Sequence, residues 1–577
     1  MIRAGGEKGG MGCLFSFGFR RYNEFTILLL GRGWAMKPAD QTGTLLKGAF
    51  ALTLAAVVTK ILSAVYRVPF QNIVGDIGFY IYQQIYPIYA FALVLSTYGF
   101  PVVLSKLYTE RKNSGGREDV HRLLVVSGGF IFVICAVFFF ILYFGARRLA
   151  VLMGDPELAV LIQTGAAVFL LVPFISVLRG YFQGKGNMIP TASSQVAEQF
   201  IRVATILAAS IVLLKEGFDL YRVGAGAVFG TVTGALAGLL VLGAFMRKAV
   251  KNGGRPRLGL KGPAAWRDTK IIVKTLFLQG LAICISNMLL IFMQFADSLN
   301  LYSLLVASGL NAEEAKAWKG VYDRGQPLIQ FGVVAATSMS LSLVPLIANE
   351  KMKGHNESLR KFIQLALKVG FVIGLGAAAG LFGIMEPTNI MLFENAKGTE
   401  VLRLLGWMIL PASLIITVVA VLQGLGLLFF PAVVVLGGFA AKYAFNVLFI
   451  PAYGTMGAAL ASNLALWLIF AVLYIRLVLF CRQSFLTGRV VVVAAGAALL
   501  MAAVLKIFLT AAAFVFPESG DRIPAALQAL SAVAVGGFTY LLVIFRKKVF
   551  ADEDWMLLPF GHKLLSLFSQ RNRRVAS

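Results

Sequence analysis

Apolar residues run through this chain in long unbroken blocks, with polar residues gathered between them. That pattern predicts fourteen membrane helices, near residues 44–66, 79–105, 123–144, 158–178, 189–214, 224–246, 271–296, 320–347, 362–384, 401–424, 429–450, 457–475, 490–512 and 525–545. Each is long enough to cross about 30 Å of hydrocarbon at 1.5 Å per residue. An even number of crossings puts both termini on one side. The segments between blocks are too short for a soluble catalytic domain of ordinary size.

The blocks also repeat. Pro87 in "GFYIYQQIYP" matches Pro327 in "GVYDRGQP", Pro173 answers Pro411, Gln183 answers Gln423, Pro190 answers Pro431, and Arg202 falls opposite Lys442, all at an offset close to 240. The expected fold is therefore an all-α polytopic membrane protein with two parallel six-helix bundles around a central cavity, plus two C-terminal helices. Parallel repeats of this kind are a transporter architecture, in which one half rocks against the other. The expected organisation is a leader at 1–43, the first bundle at 44–246 and a basic linker at 247–270. The second bundle follows at 271–475, then two extra helices at 476–548 and a tail at 549–577. The leader has no signal-peptide layout; it reads as disordered, or as preceding a true start at Met36. Gly226, Gly230, Gly234 and Gly238 recur every four residues along the sixth block, a face for close helix packing.

Composition agrees: 58% of the 577 residues are hydrophobic and the mean hydropathy is +0.80. The formal net charge of +26 does not point to nucleic acid, because Lys and Arg are distributed by side. Segments on the side of the termini hold roughly four times as many as those opposite, which predicts cytoplasmic termini in a cell membrane. The excess adds an attraction to anionic lipid headgroups. The four cysteines have no paired spacing, the three histidines are remote from one another, and no phosphate-loop motif is present. No metal, cofactor or enzymatic centre is expected, so an ion gradient or the membrane potential is left as the energy source.

Charge inside a bilayer is costly and tends to face a cavity or a partner. The candidates are Lys60 and Arg67 on the first helix, Asp323 and Arg324 on the eighth, and Lys442 on the eleventh. Lys60 and Arg67 are two turns apart and expected on one face. Asn311 and Glu314 have capping-box spacing and would start the eighth helix, placing Arg324 at the depth of Lys60. The cations could then meet across the cavity and hold phosphate oxygens, for which guanidinium geometry is suited. Asp323 would be the counter-ion of Arg324 in the empty site, and Pro327 would bend the helix there. The bland alternative is that Arg67 snorkels and Arg324 merely pairs with Asp323. Glu198 and Arg202, four apart, read as an ion pair as readily as a site. Asp297 at the edge of the seventh helix is a further coupling or structural candidate. Lys442 is set apart because position 438, where Glu198 has its repeat equivalent, is Gly. Lys47, Lys368, Arg403 and Lys506 read as snorkelling or packing residues.

"TKILSAVYRVPFQNIVGDIGFYIYQQIYPIYAFALVLSTYGFPVVLSKL" resembles the opening of Gram-positive polysaccharide-biosynthesis flippases, the stage V sporulation protein B group. "FADSLNLYSLL" and "GVYDRGQPLIQFG" resemble more closely the YtgP branch of MurJ-like lipid II flippases, in the superfamily of multidrug, oligosaccharidyl-lipid and polysaccharide exporters (MOP). The resemblance covers roughly residues 43–548. It implies a flippase for an undecaprenyl-diphosphate-linked precursor, with membrane lipids and cell-wall synthesis proteins as partners. It also implies essential cavity cations at Lys60 and Arg67 and an Asp-Arg pair at Asp323–Arg324. One family arginine, near the start of the second helix, has no match; Tyr82, Gln83 or Gln84 would have to replace it. Three other functions compete: a spore-specific or other polysaccharide lipid-carrier flippase, a cation-coupled multidrug exporter of the same superfamily, and a scaffold or scramblase-like component of a wall-synthesis or spore-coat complex. The first block has no acid of the kind used for coupling by exporters, and a scaffold would tolerate loss of the span cations.

Overall fold

The computed structural model describes residues 52 and 54–557, apart from 57, 115–116, 252–262, 342 and 516–520. The leader, most of the basic linker and the end of the tail lie outside the described residues. Helices account for the fold, and no strand occurs among the described residues. In chain order the first group comprises α1 (Leu54–Lys112), α2 (Asp119–Leu152), α3 (Pro156–Gly184), α4 (Ile189–Lys215) and α5 (Leu220–Val250). The second comprises α6 (Asp268–Asn287), α7 (Leu289–Ala307), α8 (Ala312–Asp323), α9 (Gly325–Leu341), α10 (Val344–Lys353), α11 (Asn356–Gly383), α12 (Met385–Phe393), α13 (Thr399–Gly424) and α14 (Phe429–Cys481). Then come α15 (Gly488–Phe514) and α16 (Arg522–Arg546).

Twelve helices, not fourteen, are long and apolar enough to cross a bilayer among the described residues. Four local features account for the difference. The runs α1 and α14, of 59 and 53 residues, far exceed the roughly 20 residues that one crossing needs. Each is divided by a glycine in a conformation that side-chain-bearing residues avoid: Gly75 (φ 71°, ψ −176°) and Gly454 (φ 55°, ψ −135°). The seventh predicted block is interrupted at Met288, which separates α6 from α7. The eighth is broken into α8, α9 and α10, of 12, 17 and 10 residues, each shorter than one crossing needs.

That last break has a readable cause. Glu314 N–H donates to Asn311 Oδ1 at 2.8 Å, so the expected cap does start α8. Pro327 has no N–H to give the Asp323 carbonyl four residues back, and the helix is interrupted at Arg324 between α8 and α9. Within the first group α4 packs on α5, and the second arm of α1 packs on α3; within the second, α7 packs on α14 and α11 on α9 and α13. The last two helices pack on each other and on α11. The two groups meet where α7 and α8 pack on α1 around its Gly75 corner. The glycine face of α5 is a packing surface, as its spacing predicts: a Cβ on Gly234 would stand 2.9 Å from the Arg202 Cβ.

Candidate functional site

Every charged side chain that the fold buries needs a partner, or a reason to lack one. Three buried clusters answer that question differently.

The first lies where the two lobes meet. Arg324 is fully buried and reaches across to Asp76, beside the Gly75 corner: Nε and Nη2 donate to Asp76 Oδ1 at 3.0 and 2.5 Å. Its Nη1 donates to Asn395 Oδ1 at 2.8 Å. Asp323 turns elsewhere, accepting from Lys319 Nζ at 2.7 Å on both carboxylate oxygens. The expectation that Asp323 is the counter-ion of Arg324 is therefore corrected. Adjacent helical residues point about 100° apart, so Asp323 pairs along its own helix at i−4 while Arg324 faces the other lobe.

Arg67 sits in the same region, close enough to Asp323 for their charges to interact. Its side chain is wholly buried, with the guanidinium 4.3 Å from the centre of the Tyr86 ring. None of its three guanidinium nitrogens has a hydrogen-bond partner among the described residues. Beside it, Tyr66 and Tyr82 share a hydrogen bond of 2.8 Å, and Tyr89 donates to Tyr82 at 2.5 Å. Arg67 thus offers a full set of donors in a low-dielectric setting. Lys60 does not join it. Although the spacing predicts one face, Lys60 is exposed whereas Arg67 is fully buried.

The second cluster is within the first lobe. Glu198 accepts from Arg202 at 2.6 Å, as the i, i+4 spacing suggests, and also from Arg179 of α3 at 2.7 Å. Arg179 further donates to the Ser96 carbonyl (3.3 Å), Thr97 Oγ1 (3.1 Å) and Ser194 Oγ (3.1 Å). This group ties α3, α4 and the second arm of α1 together.

The third is within the second lobe. Lys442, which the repeat leaves without an acid, has one: Asp297 of α7 at 2.7 Å. An acid one helix away in space is invisible to local spacing. Arg403 pairs with Glu386 at 3.3 Å and with Glu400, and Lys368 pairs with Asp554 at 2.9 Å, consistent with structural roles. Of the neutral donors on the second arm of α1, Gln84 gives its amide to the Ser298 carbonyl at 3.2 Å.

Further contacts close the lobes at both ends. At one end Lys316 lies 3.6 Å from the buried Asp155, which also accepts from Tyr80 and Tyr221. At the other, Arg111 makes a bidentate pair with Asp268, both bonds 2.5 Å, and Lys106 donates to Gln279 at 3.4 Å. Between these, a π-helical turn at Leu95–Gly99 faces another at Leu276–Gly280, and Gly99 lies directly against Cys284. Asp76, Lys319, Arg179 and Asn446 were missed from sequence. Lys319–Asp323 and Lys442–Asn446 had i, i+4 spacing that could have shown them; Asp76 and Arg179 had no local signal.

Comparison with known proteins places this architecture. The chain is 45% identical to the uncharacterized membrane protein YabM of Bacillus subtilis, over 91% of this chain and 97% of that one. It is 27% identical to the lipid II flippase MurJ of the same organism, over 87% and 95%. The stage V sporulation protein B matches at 34% over only 34% of this chain. Among solved structures, lipid II flippase MurJ in an inward closed conformation superposes with a TM-score of 0.62 at 13% identity, covering 86% of this chain and 99% of that one. An inward-facing multidrug resistance MATE family transporter of the MOP superfamily gives 0.58 at 16%, over 74% and 96%. The fold is that of MOP-superfamily transporters. The family model for polysaccharide biosynthesis proteins matches residues 45–350, and to that family the chain belongs.

Proposed function

We propose that this protein is a flippase that carries an undecaprenyl-diphosphate-linked cell-wall precursor, lipid II being the first candidate, from the inner to the outer leaflet by alternating access. The observation that carries the proposal is Arg67: a fully buried guanidinium whose three nitrogens have no hydrogen-bond partner among the described residues. Buried donors without acceptors are costly, and a phosphate oxygen pair completes a guanidinium in that state. The likeness to MurJ supplies the class of phosphate carrier.

In this reading the basic excess makes the Arg111–Asp268 end cytoplasmic and the Asp76–Arg324 end external. The diphosphate enters from the cytoplasmic side and binds Arg67. Arg324 becomes a second ligand when the lobes part and its bond to Asp76 breaks. Lys60 is exposed and contributes a charge at the approach. The prenyl chain stays in apolar surroundings. A cavity of about 550 Å³ between the second lobe and the last two helices, lined by Leu328, Val372, Gly376, Met501, Gly536 and Tyr540 among others, suits such a chain.

The test is complementation in cells depleted of their own peptidoglycan flippase, with lipid II in the outer leaflet as the readout. Restored exposure supports the reading. Failure to restore it, together with gained export of cationic dyes, overturns it in favour of a multidrug exporter.

A further inference from the structure

We infer that the second lobe carries its own built-in cation: the Lys442 ammonium fills an oxygen cage that would otherwise take a monovalent alkali ion.

Lys442 lies in the first arm of α14 and is fully buried. Its Nζ is 2.7 Å from Asp297 Oδ1, 2.7 Å from Asn446 Oδ1 and 2.8 Å from the Ala458 carbonyl oxygen. An ammonium has three N–H donors. Three oxygens receive them, so the coordination of Lys442 is complete.

The cage is built for a cation. Carboxylate, amide and backbone carbonyl oxygens are the donors that hard cations prefer. Asn446 is oriented with its oxygen towards Lys442 because its amide N–H groups donate outward, to Asp297 Oδ1 at 2.9 Å and Asn300 Oδ1 at 2.7 Å. The other carboxylate oxygen of Asp297 accepts from Tyr322 at 2.9 Å, and the Tyr322 hydroxyl shares a second bond with Ser462 at 3.1 Å. The Gly454 corner folds the second arm of α14 back, and this returns the Ala458 carbonyl to a lysine sixteen residues earlier. Four helical arms, from α7, α8 and both halves of α14, thus meet on one positive charge.

The charge balance is also closed. Asp297 and Lys442 cancel, and the nearest ionic pair, Lys319 and Asp323 on α8, cancels internally. A free sodium or potassium ion has neither a vacant oxygen nor an uncompensated negative charge here. Without the lysine side chain, Asp297 would be a buried carboxylate facing two neutral oxygens, a state that a mobile cation relieves. The inference does not depend on which substrate the protein carries.

The test is thermal unfolding of the purified full-length protein in sodium, potassium and N-methylglucamine chloride at equal ionic strength. Wild type is expected to unfold at the same temperature in all three. Lys442→Ala is expected to be less stable in N-methylglucamine and to recover by several degrees, saturably, with sodium or potassium, since a ligand of the native state alone stabilises it. The double variant Lys442→Ala/Asp297→Asn, with no carboxylate to neutralise, is expected to lose that response. A saturable alkali-ion shift in wild type overturns the inference, and so does a Lys442→Ala protein indifferent to both ions. Should Lys442→Ala fail to fold, the wild-type comparison decides alone: indifference supports the inference and a saturable shift overturns it.

Discussion

Arg324 and Asp76, 248 residues apart and on opposite lobes, are joined by two hydrogen bonds to a single carboxylate oxygen. A residue with the chemistry of a phosphate ligand is thus engaged as a latch. In the proposed cycle, opening of this end would release Arg324 for a ligand. Asp76→Asn is expected to favour the state open at this end. A cysteine placed nearby on the second arm of α1 should then react several-fold faster with a membrane-impermeant thiol reagent. Unchanged labelling would show that the pair does not hold the lobes together. In a double-variant cycle with Arg324→Gln, the two stability effects should fall short of additivity by about 1 kcal/mol or more, as for groups in direct contact.

Arg67 is expected to separate stability from activity. Its guanidinium is buried without a hydrogen-bond partner among the described residues, so Arg67→Met should leave the substrate-free protein as stable as wild type or raise its unfolding temperature. The same change should lower transport at least tenfold. Arg67→Lys should be intermediate, because a point charge replaces a fork. A marked loss of stability in Arg67→Met would show instead that the side chain holds the lobe together.

Gly99 and Cys284 test the seam between the two ends. A Cβ built on Gly99 stands 3.5 Å from the Cys284 Cβ, at the short edge of disulfide geometry. Gly99→Cys should cross-link to the native Cys284 under mild oxidation, stop transport, and recover on reduction. Transport that continues through a demonstrated cross-link would mean that the two π-helical turns do not part during the cycle.

Glu198 is expected to be structural. It neutralises two buried arginines, Arg179 and Arg202, so Glu198→Gln should cost about 3–5 kcal/mol of stability. In protein that remains folded, the apparent affinity for the lipid substrate should not change. A selective loss of affinity would move this cluster into the transport site.

The fold was legible because bilayer length and side-chain polarity act locally along the chain. The cap at Asn311 and the close packing of α5 on Glu198 and Arg202 likewise follow from spacing alone. The candidate site was legible only in part. Arg67 and Arg324 stand out as charges in apolar runs, and both prove fully buried. Their partners are set by tertiary contact: Asp76 approaches Arg324, and Asp297 approaches Lys442, from other helices. The different burial of Lys60 and Arg67 is set by what packs around each, which their spacing does not reveal. The glycine corners at positions 75 and 454 were equally hidden, since glycine is frequent in membrane helices and only its backbone conformation marks a corner.

The most direct test of the central claim is translocation by purified protein in liposomes. Labelled undecaprenyl-diphosphate-linked precursor would be loaded in one leaflet and its arrival in the other followed over time. Wild type is expected to move the lipid faster than protein-free liposomes, and Arg67→Met, reconstituted at the same density, to fall to the protein-free rate. Equal rates for wild type and Arg67→Met would contradict the assignment of Arg67 as the phosphate ligand, and no translocation by wild type would contradict the flippase reading itself.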